Sequence, residues 1–204
     1  MSLPLQQSLL DGPGDPELAP LTGIRRAPLS ATAWIDLLPG WLSGADEVFA
    51  HLSESVPWRA ERRRMYDGVV AVPRLLSYYR EGAPLPHPIL TEARAALTAH
   101  YGVEFTTAGL CYYRDGRDSV AWHGDRIGRG ATEDTHVAIL SVGAPRSLHL
   151  RPRGGGETLR HPLGHGDLLV MGGDCQRTWD HAIPKTAKPV GPRISIQFRP
   201  SGVR

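Results

Sequence analysis

Cysteine is nearly absent from this chain, with Cys111 and Cys175 the only two in 204 residues. That excludes a disulfide-stapled scaffold, and their wide separation excludes zinc-type spacing, so a reduced, cytoplasmic setting is expected. Lysine is equally scarce. Lys185 and Lys188 stand alone, leaving 21 of the 23 basic residues as arginine. Guanidinium forks suit phosphate and carboxylate better than ammonium groups do, although genome-wide codon bias gives the same composition. Net charge is only +2 at pH 7, which alone gives no reason to expect nucleic acid. Long apolar runs are missing too. Residues 1–30 are rich in Pro, Gly and Leu without a positive leading segment or a continuous hydrophobic stretch. An irregular arm is expected there rather than a secretory signal or a membrane span. No internal repeat occurs, and Gly154-Gly155-Gly156 is followed by no helical pattern, so it makes a poor phosphate loop.

What is present fits a single domain over 31–204. Trp34-Ile35-Asp36-Leu37-Leu38 reads as a strand stopped by Pro39-Gly40, and Ser43 to Ser55 carries Val48, Phe49 and Leu52 at helical spacing. A second helix follows Pro88, with Ile89, Ala93, Ala96, Leu97 and Tyr101 near one face and Gly102 at its end. From Phe105 the pattern changes to short β-like runs at 105–114, 136–142, 147–151, 167–171 and 193–199. The expected class is α+β, mainly β: a jelly roll or related barrel with the early helices packed on one sheet.

In Trp122-His123-Gly124-Asp125 two ligating side chains sit at i and i+2, which places both on one face of an extended backbone. Such a triplet alone recurs by chance in many proteins. His181 lies 56 residues beyond Asp125, and two imidazoles with one carboxylate leave three metal positions open, as in non-haem Fe(II) oxygenases. His51, His87, His100, His136, His149, His161 and His165 compete for the third place. Pro162 and Gly164 break the helix that a His161/His165 pair would need. His136 has Leu148 twelve residues on, where His181 has Arg193.

From Arg193 to Arg199, Ile194, Ile196 and Phe198 alternate with Arg193, Ser195, Gln197 and Arg199. A solvent-facing polar side is the ordinary outcome for such a strand. Its coincidence with the H-x-D…H pattern points instead to a pocket wall, with arginine forks for a dicarboxylate and a hydroxyl from Ser195. Earlier, the run from Trp58 through Arg62, Arg63, Arg64 to Tyr66, followed by Arg74 and Tyr79, interleaves arginine with aromatics. It could track phosphates while rings stack on an extruded base; the plainer reading is a solvated arginine face over core aromatics.

Together these residues resemble the AlkB family of Fe(II)/2-oxoglutarate dioxygenases over roughly Pro73 to Pro200. Leu110-Cys111-Tyr112-Tyr113-Arg114-Asp115-Gly116 is similar to the strand preceding the metal motif; Tyr113 fits that strand's tyrosine and Cys111 replaces its asparagine. Gly166 to Met171, Trp179 to Lys185 and Gly191 to Arg199 resemble the later segments. The resemblance implies a double-stranded β-helix over about 105–200 and a nucleotide-recognition lid over about 56–82. It also implies Fe(2+) on His123, Asp125 and His181, 2-oxoglutarate held by Tyr113, Arg193, Ser195 and Arg199, and O2 as the second co-substrate. The implied reaction is oxidative dealkylation of N-alkylated bases in DNA or RNA, of the DNA repair type, releasing succinate, CO2 and an aldehyde. Trp58, Arg62, Arg63, Arg64, Tyr66, Arg74, Tyr79 and Arg126 are candidate substrate contacts, and a cationic lesion would suit stacking on Trp58, Tyr66 or Tyr79. Arg126-Ile127-Gly128-Arg129 lacks the acidic residues that many relatives place beside the base. A monomer is expected. The alternatives are the same chemistry on a protein, lipid or small molecule and, more remotely, a non-catalytic cupin-like metal- or sugar-binding module.

Overall fold

The computed structural model describes residues 14–65 and 68–203, with 62–71 described as backbone only. The chain begins with β1 (Glu17–Leu18), β2 (Arg25–Pro28), β3 (Ala33–Leu38), β4 (Leu42–Ser43) and α1 (Ala45–Ser55). The stretch expected to be an irregular arm is therefore partly strand, since β1 pairs with β4 and β2 with β3. Side-chain chemistry invisible to periodicity holds it. Arg26 donates to both oxygens of the buried Asp36 at 2.8 Å, and its guanidinium lies 3.6 Å from the Trp34 ring centroid.

The hairpin of β5 (Arg59–Met65) and β6 (Gly68–Tyr79) leads into α2 (Pro88–Tyr101). Pro88 has the φ a first turn needs, the His87 side chain accepts from the Ile89 N–H at 3.2 Å, and Gly102 closes the helix at φ +63°. Then come β7 (Phe105–Tyr113), β8 (Val120–His123), β9 (Val137–Gly143), β10 (Arg146–Pro152), β11 (Leu159–Leu163), β12 (Asp167–Gly173), α3 (Cys175–Thr178), β13 (Trp179–Ile183) and β14 (Arg193–Pro200). The five expected late runs each fall on a strand. β8, β11 and β13 were not expected as strands, because four or five residues interrupted by His, Asp, Arg or Pro carry no period-two signal.

Eight strands form one antiparallel sheet in the order β2-β3-β12-β9-β14-β7-β6-β5, and four form another in the order β11-β10-β13-β8. On the outer face of the large sheet, Val48 and Leu52 of α1 and Leu90 and Leu97 of α2 pack with Leu110, Leu140, Ile194, Ile196 and Phe198. Between the sheets, Ile139, Leu148, Leu150, Met171 and Ile183 form a second core. Covered on both sides, β9 is buried at every position and reads as a continuous apolar run. The residues expected to form a lid over 56–82 include a hairpin that prolongs the large sheet, with β6 paired to β7 through Leu76↔Cys111 and Tyr78↔Gly109. Among the described residues, no helix is long and apolar enough to cross a membrane.

Candidate metal centre and its cavity

β8 and β13 pair with His123 directly opposite His181, and the ring centroids lie 4.2 Å apart. Asp125 follows one residue past the glycine, and ligand atoms of His123, Asp125 and His181 all lie within 4.8 Å of one another. The Nδ1–H of His123 donates to the Ala121 carbonyl at 2.8 Å, which leaves Nε2 as the bare nitrogen, 3.9 Å from Asp125 Oδ1. Gly124 is required between them: a Cβ there would stand 2.4 Å from the Gln176 carbonyl oxygen. Gln176 in turn accepts the Asp125 N–H at 2.8 Å through Oε1, and Arg199 Nε holds Asp125 Oδ2 at 2.6 Å.

The charges suit a cation. Burial, helped by neighbouring His123, drives the His181 imidazole down to about 3, and burial also lowers His123. For Asp125 burial pushes upward, but the positive Arg199 beside it, with the two imidazoles, holds the carboxyl at about 2. At neutral pH the site therefore offers two neutral imidazoles and one carboxylate, the protonation state in which these groups bind metal.

The polar side of β14 floors a cavity next to this triad. Across the sheet Arg193 pairs with Tyr113 and Gly143, Ser195 with Cys111 and Ser141, and Gln197 with Gly109 and Ile139. Arg193 is 1 % exposed; its Nε donates to Ser141 Oγ at 2.9 Å, and its Nη1 has no hydrogen-bond partner. A desolvated guanidinium with no carboxylate paired to it among the described residues costs several kcal/mol, and an anion entering the cavity would offset that cost. Burial pushes the Tyr113 phenol up to about 12, keeping it a neutral donor, with the Arg193 guanidinium 5.4 Å from its ring centroid. Arg199 lines the same cavity, but its Nε is engaged by Asp125, so part of its guanidinium already serves the triad.

The expected substrate contacts separate. Arg74 lines the cavity, its Nη1 on the Ser119 carbonyl at 3.1 Å and its Nε without a partner. Arg126 adjoins Asp125 and pairs with Asp180 at 2.9 Å. Trp58 and Tyr79 are not at the cavity: both pack against the helix-side core, and Trp58 Nε1 donates to the Leu52 carbonyl at 3.1 Å. The physical reason is strand parity. Leu76 pairs with Cys111 and Tyr78 with Gly109, so Arg74, Leu76 and Tyr78 share the cavity side while Tyr79 faces the helices. Counting in twos from Arg74 would have found Tyr78, which is 51 % exposed. Arg62, Arg63 and Arg64 lie on β5 with side chains outside the described residues, and Tyr66 lies outside them entirely. Gln176 had no sequence signal, whereas Gln197 shared the parity of Arg193 and was passed over as a site residue.

Comparison with known proteins places these features. The family described as the 2OG-Fe(II) oxygenase superfamily matches residues 73–199. Alpha-ketoglutarate-dependent dioxygenase alkB homolog 3 of Bos taurus is 32% identical over 88% of this chain and 76% of that protein. The Homo sapiens protein of the same name is 30% identical over 91% and 73%. DNA oxidative demethylase ALKBH2 of Homo sapiens is 28% identical over 76% and 68%. Among solved structures, OsALKBH1 superposes with a TM-score of 0.59 at 11% identity over 81% of this chain and 97% of that one. A Trichoplax adhaerens prolyl hydroxylase in complex with a hypoxia inducible factor peptide fragment also gives 0.59, at 12% identity over 81% and 83%. At such identities the structures speak for the fold, a double-stranded β-helix.

Proposed function

This chain belongs to the 2OG-Fe(II) oxygenase superfamily as an AlkB-like member, an enzyme using Fe(2+), 2-oxoglutarate and O2, and from that membership we propose that it dealkylates N-alkylated bases in DNA or RNA. Each turnover would consume one 2-oxoglutarate and one O2 and yield the free base nitrogen, an aldehyde, succinate and CO2. Bound iron supplies the redox chemistry that couples the two oxidations. The chain's own part is to bind, orient and exclude water.

His123, Asp125 and His181 would hold the metal, with Arg199 and Gln176 fixing Asp125 from behind. The single observation that carries the co-substrate assignment is the unpartnered, buried Nη1 of Arg193 beside that triad. A dicarboxylate seated on it would complete the guanidinium, while Ser195 and Tyr113 add neutral donors. Membership in a family of oxygenases leaves the non-catalytic cupin-like reading without support.

For the nucleic-acid substrate the support is the arginine-rich β5, prolonging the sheet whose next strand carries Arg74 and Tyr78 on the cavity side. A monomer in a reducing cytoplasm is part of the same proposal, in keeping with two buried free cysteines. Incubating the Fe(II)-loaded protein with 2-oxoglutarate and a panel of alkylated DNA and RNA oligonucleotides, then weighing the products, tests it. Loss of a methylene's mass from one class of oligonucleotide is expected. Succinate formation that no oligonucleotide stimulates would refute the nucleic-acid reading and point to the same chemistry on another substrate.

A further inference from the structure

We propose that Gln197 is a positioning residue for 2-oxoglutarate: its amide, latched by the Cys111 thiol, turns the Ser195 hydroxyl so that its proton points into the cavity. This rests on the reading above that Arg193 and Ser195 receive the co-substrate.

Three hydrogen bonds define the arrangement. Gln197 Nε2 donates to Ser195 Oγ at 2.7 Å and to the Ser195 carbonyl at 3.3 Å, while Gln197 Oε1 accepts from Cys111 Sγ at 3.6 Å. Room for it comes from Gly109, its partner across the strands, where a Cβ would come within 3.4 Å of Oε1 and 3.1 Å of Arg199 Nη1. With no side chain opposite, the glutamine folds back along β14 toward Cys111 and Ser195.

The direction of these bonds is what matters. A hydroxyl has one proton and two lone pairs. Because the amide N–H already occupies a lone pair of Ser195 Oγ, the Ser195 proton is free to be given to a carboxylate, and accepting a bond polarises the hydroxyl for donating one. The amide cannot flip without cost, since its oxygen would then face Ser195 Oγ and the carbonyl of Ser195 and its NH2 group would face the thiol. The S–H of Cys111 therefore fixes which end of Gln197 meets Ser195. Cys111, Ser195 and Gln197 all line the cavity that His123, His181 and Arg193 also line.

The test is the calorimetric dissociation constant of 2-oxoglutarate for protein loaded with Mn(II), without O2, in Gln197→Leu, Gln197→Glu and Arg193→Ala. Leaving the Ser195 hydroxyl unoriented and unpolarised in Gln197→Leu should weaken binding about three- to tenfold. The saturated turnover rate should stay within about twofold of the parent, because the serine's role is in binding and not in the oxidation. Gln197→Glu should be weaker still: a carboxylate at 197 accepts the Ser195 proton, reversing the hydroxyl, and repels the dianion. Cys111→Ser, which keeps a donor for Oε1, should bind nearer the parent than Cys111→Val. If Arg193→Ala weakens binding while Gln197→Leu leaves it unchanged, this inference is overturned and the reading of the cavity stands. If Arg193→Ala also leaves it unchanged, the reading of the cavity falls with it. A parallel drop in melting temperature, affinity and saturated rate in Gln197→Leu would make Gln197 merely structural and likewise overturn the proposal.

Discussion

On the helix side of β14, Ile194, Ile196 and Phe198 are each fully buried among Leu110, Leu140 and Leu97, whereas on the opposite side Arg193 and Ser195 are almost as deeply buried around a cavity lined by both polar and apolar side chains. One strand thus carries both the core and the chemistry, a single residue apart. The apolar face asks only for volume and hydrophobicity, so its energetics close within the folded chain. The polar face does not close: Arg193 Nη1 is left without a partner, and that deficit is what a bound dicarboxylate would remove. On the proposed reading stability belongs to one face and affinity to the other, and this division can be attacked by mutation.

The largest expected effect is on activity alone. His181→Ala removes an imidazole of the triad, so succinate formation by the iron-loaded variant should fall to background while its melting temperature stays near the parent's. Persistent turnover would remove His181 from the metal. Next comes the core. Phe198→Ala should lower stability by about 3–5 kcal/mol through the cavity it leaves, measured by urea unfolding, with 2-oxoglutarate affinity in the folded fraction within about twofold of the parent. A large change in affinity would show that the two faces are coupled.

Arg193→Ala should do the opposite, weakening 2-oxoglutarate by about ten- to hundredfold with little loss of stability, since charge-assisted forks are the stronger hydrogen bonds. Removing an unsatisfied buried cation should leave the melting point level with the parent's or above it; any marked fall would mean that the guanidinium supports the fold. Replacing Arg62, Arg63 and Arg64 together should reduce the slope of oligonucleotide affinity against salt by up to about 2–3, the charge equivalent of three phosphate contacts. An unaltered slope would return β5 to an ordinary solvated edge.

The smallest effect concerns pH. The Asp125 carboxyl is held at about 2 against an ordinary 3.8, so its ionisation adds stability that is fully present above about pH 4 and disappears as pH falls through about 2. Asp125→Asn lacks that contribution. The gap between the parent and the variant in urea midpoint, measured on metal-free protein, should narrow from about pH 6 to about pH 3; a constant gap would mean that the carboxylate adds nothing through Arg199.

Much of this was readable in advance because strand alternation and ligand spacing are local properties. The five late strands, α2 with its proline start and glycine stop, and the convergence of His123, Asp125 and His181 all follow from residues at short or regular intervals. Parity was the point of failure: Tyr79 was chosen over Tyr78, and a shift of one residue carries a side chain from one face of a strand to the other. Trp58 failed for a related reason, because an aromatic beside arginines looks the same whether it stacks on a base or packs on a helix. Of the strands before residue 30, β2 is joined to β3 by the Arg26–Asp36 clamp and β1 pairs with β4, both contacts between separate segments.

By itself the sequence determined the candidate ligand set, the alternation of the closing strand and the family, since each is written in the type and spacing of residues along a few short stretches. Only the tertiary structure decided which aromatics face the cavity, that Arg199 holds Asp125, that Gln176 braces it, and that Gln197 reaches Ser195 and Cys111 over Gly109. Those are relations between strands distant in sequence, set by register and by how two sheets pack. No periodicity within one strand encodes which side chain a neighbouring strand will bring opposite.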